Sequence, residues 1–219
     1  MSKEISTIND LLDNYKVIYW DFDGVILNSM EIRTLGFEKV LHKYPEHQIE
    51  ALVTYHLQNG GLSRYNKFRY FFNDIRKEDV SDAVIKSLAQ DFSEIMLNIL
   101  TDKKLLIQDS LSFIKANFNN FKFHIVSGSD GVELNKLCHA LDIASYFLTI
   151  EGSPTPKIEL VEKSLTLNNY NTGDCILIGD AFNDYDAAIK NDITFCGYNN
   201  ADLMNQSQYY INEFSKIKK

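Results

Sequence analysis

Val17-Ile18-Tyr19-Trp20 runs directly into Asp21-Phe22-Asp23-Gly24-Val25. Four apolar residues in a row fit a strand buried on both faces. Its end delivers two carboxylates two residues apart. Side chains alternate along a strand, so Asp21 and Asp23 point the same way if the strand continues. Like charges that close raise each other's pKa unless a cation neutralises them. Gly24 permits a sharp turn or a close approach to a ligand. Open α/β sheets place their sites at such strand ends. The competing reading is a solvated β-turn, since Asp-Gly is a common turn pair.

Three later segments favour a site. Phe121-Lys122-Phe123-His124-Ile125-Val126 is another apolar strand, closing on Ser127-Gly128-Ser129-Asp130. Ser153-Pro154-Thr155-Pro156-Lys157 puts a lysine on the threshold of a helix. Cys175-Ile176-Leu177-Ile178 ends in Gly179-Asp180 and continues Ala181-Phe182-Asn183-Asp184. Strands thus end in Asp, Ser and Asp, with a Lys between the last two.

In these motifs and their order the chain resembles the haloacid dehalogenase-like hydrolases, within them the phosphoglycolate phosphatase and β-phosphoglucomutase-like branch. The family's Asp-x-Asp, Ser/Thr, Lys and Gly-Asp-x-x-x-Asp match Asp21-Phe22-Asp23, Ser127, Lys157 and Gly179-Asp180 through Asp184. The motifs anchor residues 15–29 and 121–195. The stretch between them matches only in being helical and of suitable length.

Composition sets the outer limits. A chain of 219 residues accommodates one core domain plus a smaller insert. Hydrophobic content of 45% and charged content of 24% describe an ordinary soluble globular protein. The net charge of −8, with no basic stretch beyond the short tail at 216–219, argues against a nucleic-acid partner. No run approaches the ~18–20 apolar residues of a membrane span, and Met1-Ser2-Lys3-Glu4-Ile5 lacks a signal peptide's apolar core. Cys138, Cys175 and Cys196 sit in apolar contexts and read as reduced core thiols of a cytoplasmic protein.

The chain divides into three stretches. Residues 1–29 give a lead helix around 8–12 and the first strand. Residues 30–105 read as helix after helix. Ile32, Leu35, Val40 and Leu41 recur at helical spacing, and Pro45 suits a first helical turn. Gly60-Gly61 breaks the chain, and Leu62, Tyr65, Phe68, Phe72 and Ile75 begin another face. Ser81 caps a long helix carrying Val84 through Ile99. A return helix at about 108–118 leads into strand–helix–strand alternation, which implies a parallel sheet. The expected fold is an α/β, Rossmann-like parallel core of residues 1–29 and 106–219. A helical domain of residues 30–105 is inserted after the first strand, with hinges near Ser29 and 103–109. The resemblance implies that this insert is a cap closing over the site.

It also implies the chemistry. Phosphate monoesters repel an incoming nucleophile, and a hard divalent cation with oxygen ligands relieves that. Mg²⁺ is the implied cofactor, held by Asp21 and Asp180, with the backbone carbonyl of Asp23 as a further ligand and Asp184 acting behind them or through water. Asp21 is the implied nucleophile, forming an aspartyl-phosphate. Asp23 is the implied acid and base, a role that wants its pKa raised toward neutrality. Ser127 and neighbouring N–H groups, Gly128 among them, bind the phosphoryl oxygens, and Lys157 offsets charge on Asp21 and phosphate. Taken singly, Ser127 also reads as a helix cap, Lys157 as a surface lysine, Asp180 as a turn acid, and Asp184 and Asp186 as acids at a helix start.

The insert is expected to choose the substrate. His56, Arg64 and Lys67 flank Gly60-Gly61 and are candidates to contact an anionic or hydroxylated leaving group, with Arg33 a weaker one. The alternative is a helix–turn–helix with solvated Arg and Lys. This stretch, with Trp20, is similar to phosphatases encoded beside surface-polysaccharide assembly enzymes, which tilts the substrate toward a phosphorylated sugar or polyol. Asn28 departs from the Asp often found there in the family. The expected activity is a Mg²⁺-dependent phosphatase of small phosphate monoesters, acting as a monomer or weak homodimer. A β-phosphoglucomutase-like mutase shares all four motifs. A receiver domain is disfavoured by the Asp-x-Asp spacing and the insert, and a catalytically silent binding protein by the intact motifs.

Overall fold

The computed structural model describes residues 14–214. The lead helix expected around residues 8–12 and the basic tail at 216–219 lie outside them. Six strands form the frame: β1 (Val17–Trp20), β2 (Lys122–Asp130), β3 (Thr149–Ser153), β4 (Cys175–Gly179), β5 (Thr194–Tyr198) and β6 (Tyr209–Ile211). They make one parallel sheet in the order β3-β2-β1-β4-β5-β6. Val17 pairs with Lys122 on one side and Cys175 on the other, and Trp20 with Ile125 and Ile178.

This central place explains the unbroken apolar run of β1, because both faces are covered. Ile18 and Trp20 pack in one cluster with Phe113, Phe123 and Phe214, whereas Val17 and Tyr19 join another with Val161, Leu177 and Phe195. Cys138, Cys175 and Cys196 are free and buried. No helix among the described residues is long and apolar enough to cross a membrane.

Between β1 and β2 run five α-helices: α1 (Met30–Val40), α2 (Glu46–Gln58), α3 (Arg64–Tyr70), α4 (Asp82–Ile99) and α5 (Gln108–Asn117). Pro45 stands just before α2 as its N-cap, outside the first turn. The face expected from Leu62 to Ile75 is not one α-helix, because α3 gives way to a π-helical stretch at Phe71–Arg76. Ser81 caps α4, accepting a hydrogen bond from the N–H of Val84. Phe37, Phe68 and Phe92 interlock α1, α3 and α4, with ring centroids 4.7–6.3 Å apart. The chain leaves and re-enters the sheet side by side: Leu27 bridges Leu106, and the N–H of Ile107 donates to the carbonyl of Ile26 at 2.9 Å.

After β2 come α6 (Gly131–Ala140), α7 (Lys157–Asn168) and α8 (Phe182–Lys190). Two strands carry no sequence signal strong enough to expect. β3 reads Thr-Ile-Glu-Gly-Ser at a sheet edge and is half-exposed except at Ser153, while β6 is three residues at the other edge. β2 also runs past its apolar stretch through Ser127-Gly128-Ser129-Asp130, with a register shift against β3. Small polar residues there hide the strand.

Candidate active site

The ends of β1, β2 and β4 meet at one edge of the sheet, with the start of α7 beside them. Asp21 still belongs to the ladder, its N–H donating to the carbonyl of Ile178 at 3.0 Å. The chain then folds back on itself, the carbonyl of Phe22 accepting from Ile26 and Leu27. Gly24 takes φ +77°, and a Cβ there would lie 1.9 Å from Asp180 Oδ2. Only glycine fits both the backbone and the space. Asn199 and Asn200, after β5, tie the two acidic loops down. Their side-chain amides donate to the carbonyls of Gly24 (3.0 Å) and Asp180 (2.7 Å).

Carboxylate oxygens of Asp21, Asp180 and Asp184 lie within 4.8 Å of one another. Lys157 is buried at the first position of α7, paired with Asp184 Oδ1, its Nζ 2.9 Å from Asp21 Oδ1. That second contact lacks hydrogen-bond geometry, so Asp21 Oδ1 is a buried oxygen with a charged neighbour and no hydrogen-bond partner among the described residues. The other Asp184 oxygen accepts from the N–H of Ala181 at 3.0 Å. Protein donors thus take both Asp184 oxygens, which suits a place behind Asp21 and Asp180.

Three carboxylates and one ammonium leave an excess of negative charge. Burial, then Asp184, pushes the Asp21 carboxyl up to about 7 against the opposing pull of Lys157. Burial with Asp21 and Asp184 raises Asp180 well above the carboxylate range. Burial would lower Lys157, but Asp184 and Asp21 outweigh it and raise it. An orphaned buried oxygen within an all-carboxylate set fits a hard divalent cation such as Mg²⁺.

Asp23 differs from the expectation. Burial alone would raise its pKa, yet Arg33, Ser129 and Ser29 outweigh burial and hold it below the usual range. Arg33 Nε and Nη2 donate to its two oxygens at 3.0 and 3.3 Å, Ser129 Oγ at 2.5 Å, and Ser29 Oγ donates as well. In this arrangement Asp23 is a carboxylate.

A cavity of about 550 Å³ opens over these groups. Asp21, Asp23, Ser127, Gly128 and Asp180 line it from the sheet, and Arg33, His56, Arg64 and Lys67 from the helices before β2. The solvated alternative for Arg64 and Lys67 does not hold, since both are buried. Lys67 Nζ meets His56 Nδ1 at 2.8 Å and the carbonyl of Gly60 at 3.2 Å. Arg64 Nη1 meets Glu133 Oε2 at 2.6 Å and Ser93 Oγ at 2.8 Å. Ser127 Oγ accepts the N–H of Ser129 at 3.1 Å, an internal bond and not a helix cap; Asp130 caps α6 instead. Asp186 also lines the cavity.

Sequence reasoning missed Glu133, Ser129 and the pair Asn199-Asn200. Asp130-Gly131-Val132-Glu133 reads as an ordinary capping pattern, and only the packing of α6 shows where that glutamate goes. The two asparagines had a usable signal, because they follow a parallel strand on the same sheet edge.

This chain belongs to the haloacid dehalogenase-like hydrolase family, whose model matches residues 18–198. Several solved structures share its fold. A predicted phosphatase from Clostridium acetobutylicum aligns over 93% of this chain and 96% of its own, at 17% identity and a TM-score of 0.74. A β-phosphoglucomutase from Clostridium difficile aligns over 93% of both chains, at 19% identity and 0.73. CbbY from Rhodobacter sphaeroides, solved with phosphate, aligns over 92% of this chain and 95% of its own, at 12% identity and 0.71. No curated protein matches the chain by sequence.

Proposed function

We propose that this protein is a Mg²⁺-dependent phosphatase of small phosphate monoesters: a sugar, polyol or related phosphate, in the cytoplasm, with surface-polysaccharide synthesis as one setting. The observation that carries this reading is the buried Asp21–Asp180–Asp184 cluster against Lys157, opening into a cavity lined with cations from the helical insert. Residues 30–105 act as its cap over a core of 1–29 and 106–219.

Asp21 and Asp180 hold the metal, with the carbonyl of Asp23, and Asp184 supports them. The bound cation supplies charge neutralisation at the phosphoryl oxygens. Asp21 attacks phosphorus, the ester P–O bond breaks, and the leaving oxygen takes a proton from Asp23. Water then attacks the aspartyl-phosphate, giving its proton to Asp23, and the bond to Asp21 breaks. Asp23 must exchange Arg33 for the substrate to carry a proton. Ser127 and the N–H of Gly128 bind phosphoryl oxygens, and Lys157 stabilises the charge that gathers there. His56, Arg64 and Lys67 contact the substrate from the side of the insert.

The test is phosphate release from a panel of sugar, polyol and amino-alcohol phosphates, with Mg²⁺ and with EDTA, beside Asp21→Asn. Metal-dependent release lost in the variant supports the reading. No release from any ester by folded, metal-loaded protein overturns it. Phosphate moved within a sugar phosphate, without release, would mark a mutase instead.

A further inference from the structure

Glu133 is a carboxylate of α6, 1% exposed, that does not line the cavity. Each of its oxygens is claimed by a different helix of the insert. Arg33 of α1 donates from Nη1 to Oε1 at 2.5 Å, and Arg64 of α3 donates from Nη1 to Oε2 at 2.6 Å. Arg33 turns its remaining donors to Asp23. Four charges therefore alternate from the half-buried Asp23 inward through the buried Arg33, Glu133 and Arg64. Both hydrogen bonds of Arg64 leave from Nη1, so its Nε and Nη2 make none with protein among the described residues. Those groups are not sealed off from solvent-sized space, and Arg64 lines the cavity. Phe92 fixes the plane of the guanidinium, its ring centroid 4.4 Å from Cζ.

We infer that Glu133 is a positioning residue. It sets two guanidinium groups of the insert, Arg33 and Arg64, at the cavity that Asp21 and Asp23 line, so that the spare N–H groups of Arg64 meet an oxyanion of the phosphate ester. The argument rests on geometry. Two guanidiniums brought together without an anion would repel and scatter, whereas a shared carboxylate holds both in one arrangement. Tyr65, the next residue of α3, seats the same helix at the start of α6 by donating from its hydroxyl to Asp130 Oδ2 at 2.7 Å. The inference rests on the phosphatase reading and assigns Glu133 a task that reading does not contain.

The experiment is calorimetric binding of inorganic phosphate, in excess Mg²⁺, to the full chain and to Glu133→Asp, Arg64→Met and the double variant. Aspartate keeps the charge and the fold but cannot reach both arginines. Expected is a rise in Kd of about tenfold or more for Glu133→Asp, the scale of one charge-assisted hydrogen bond. No further rise should appear when it is added to Arg64→Met. KM for a hydrolysed ester should rise likewise with kcat less affected, a split that a merely structural role would not produce. Phosphate binding by Glu133→Asp within twofold of wild type, or losses that simply add, would overturn the role while leaving phosphate release intact. A wild type that neither releases nor binds phosphate would remove the phosphatase reading, and this one with it.

Discussion

Lys67 Nζ lies 2.8 Å from His56 Nδ1, and both side chains are buried at the cavity. The ammonium can only donate, so His56 Nδ1 accepts and its Nε2 carries the proton, with no hydrogen-bond partner among the described residues. Burial, then Lys67, lowers His56 to about 3. Burial lowers Lys67 to about 7; Asp23 opposes this, while Arg33 and Arg64 add to it.

A pH dependence of stability follows. Unfolded Lys67 keeps its proton up to about 10.5 while the folded group loses it near 7. The unfolded chain therefore binds more protons in that window, and the stability contribution rises with pH across it. The slope is at most ~1.4 kcal/mol per pH unit. His56 acts in the same sense lower down, weakening the fold as pH falls from about 6.5 toward 3. Urea unfolding of Lys67→Met between pH 7 and 9 should show a flatter profile than wild type. An unchanged slope would mean that Lys67 is charged in the folded protein.

Crowded acids should make the metal-free protein gain from Mg²⁺. At about a hundred times its Kd, a ligand of the folded state adds ~2.7 kcal/mol. Thermal melting should move upward with Mg²⁺ for wild type and little for Asp180→Asn. That variant should also melt higher than wild type in EDTA, because it removes one of the mutually repelling carboxylates.

Lys157→Met should unfold far more easily in EDTA. It leaves Asp184 and Asp21 buried without their cation. Breaking a buried pair by removing one partner costs ~3–5 kcal/mol, and urea midpoints in EDTA measure it. Mg²⁺ should recover part of the loss.

Gly128→Ala tests the seam between the loop at 59–63 and the sheet. A Cβ on Gly128 would lie 2.3 Å from the carbonyl oxygen of Gly61, a backbone atom that Asn183 Nδ2 also holds at 2.8 Å. The loop at 59–63 must lift. Expected are a drop of about tenfold or more in kcat/KM, unchanged far-ultraviolet dichroism and faster protease cleavage at 59–63, the scale set by ångström-level misplacement at a site.

What could be read in advance followed from period and from strand ends. β1 and β4 are apolar throughout because neighbours cover both faces, so they stand out in the chain. Asp21 and Asp180 follow such signals, and Lys157 is marked by the helix start after Pro154 and Pro156. β3 and β6 are edge strands with little apolar content, and they do not stand out. The burial of Arg64 and Lys67 was not legible either. Long cations usually reach solvent, and partners that no pattern discloses, a carboxylate on another helix and a neutral imidazole among them, hold these two inside. The surroundings of Asp23 were hidden for a similar reason: Arg33, ten positions on, is the first of the groups that set them, and no pattern discloses its direction.

The place of β1 at the centre of the sheet also governs when the protein can assemble. Val17 needs Lys122 on one side and Cys175 on the other. During synthesis its apolar run therefore waits, unpaired, until most of the chain has emerged, at about 5–20 residues per second. The helices that follow it make mainly local contacts and can pack first. Chaperone demand should accordingly concentrate on the interval before β4 appears, with Val17–Trp20 as the segment most in need of cover.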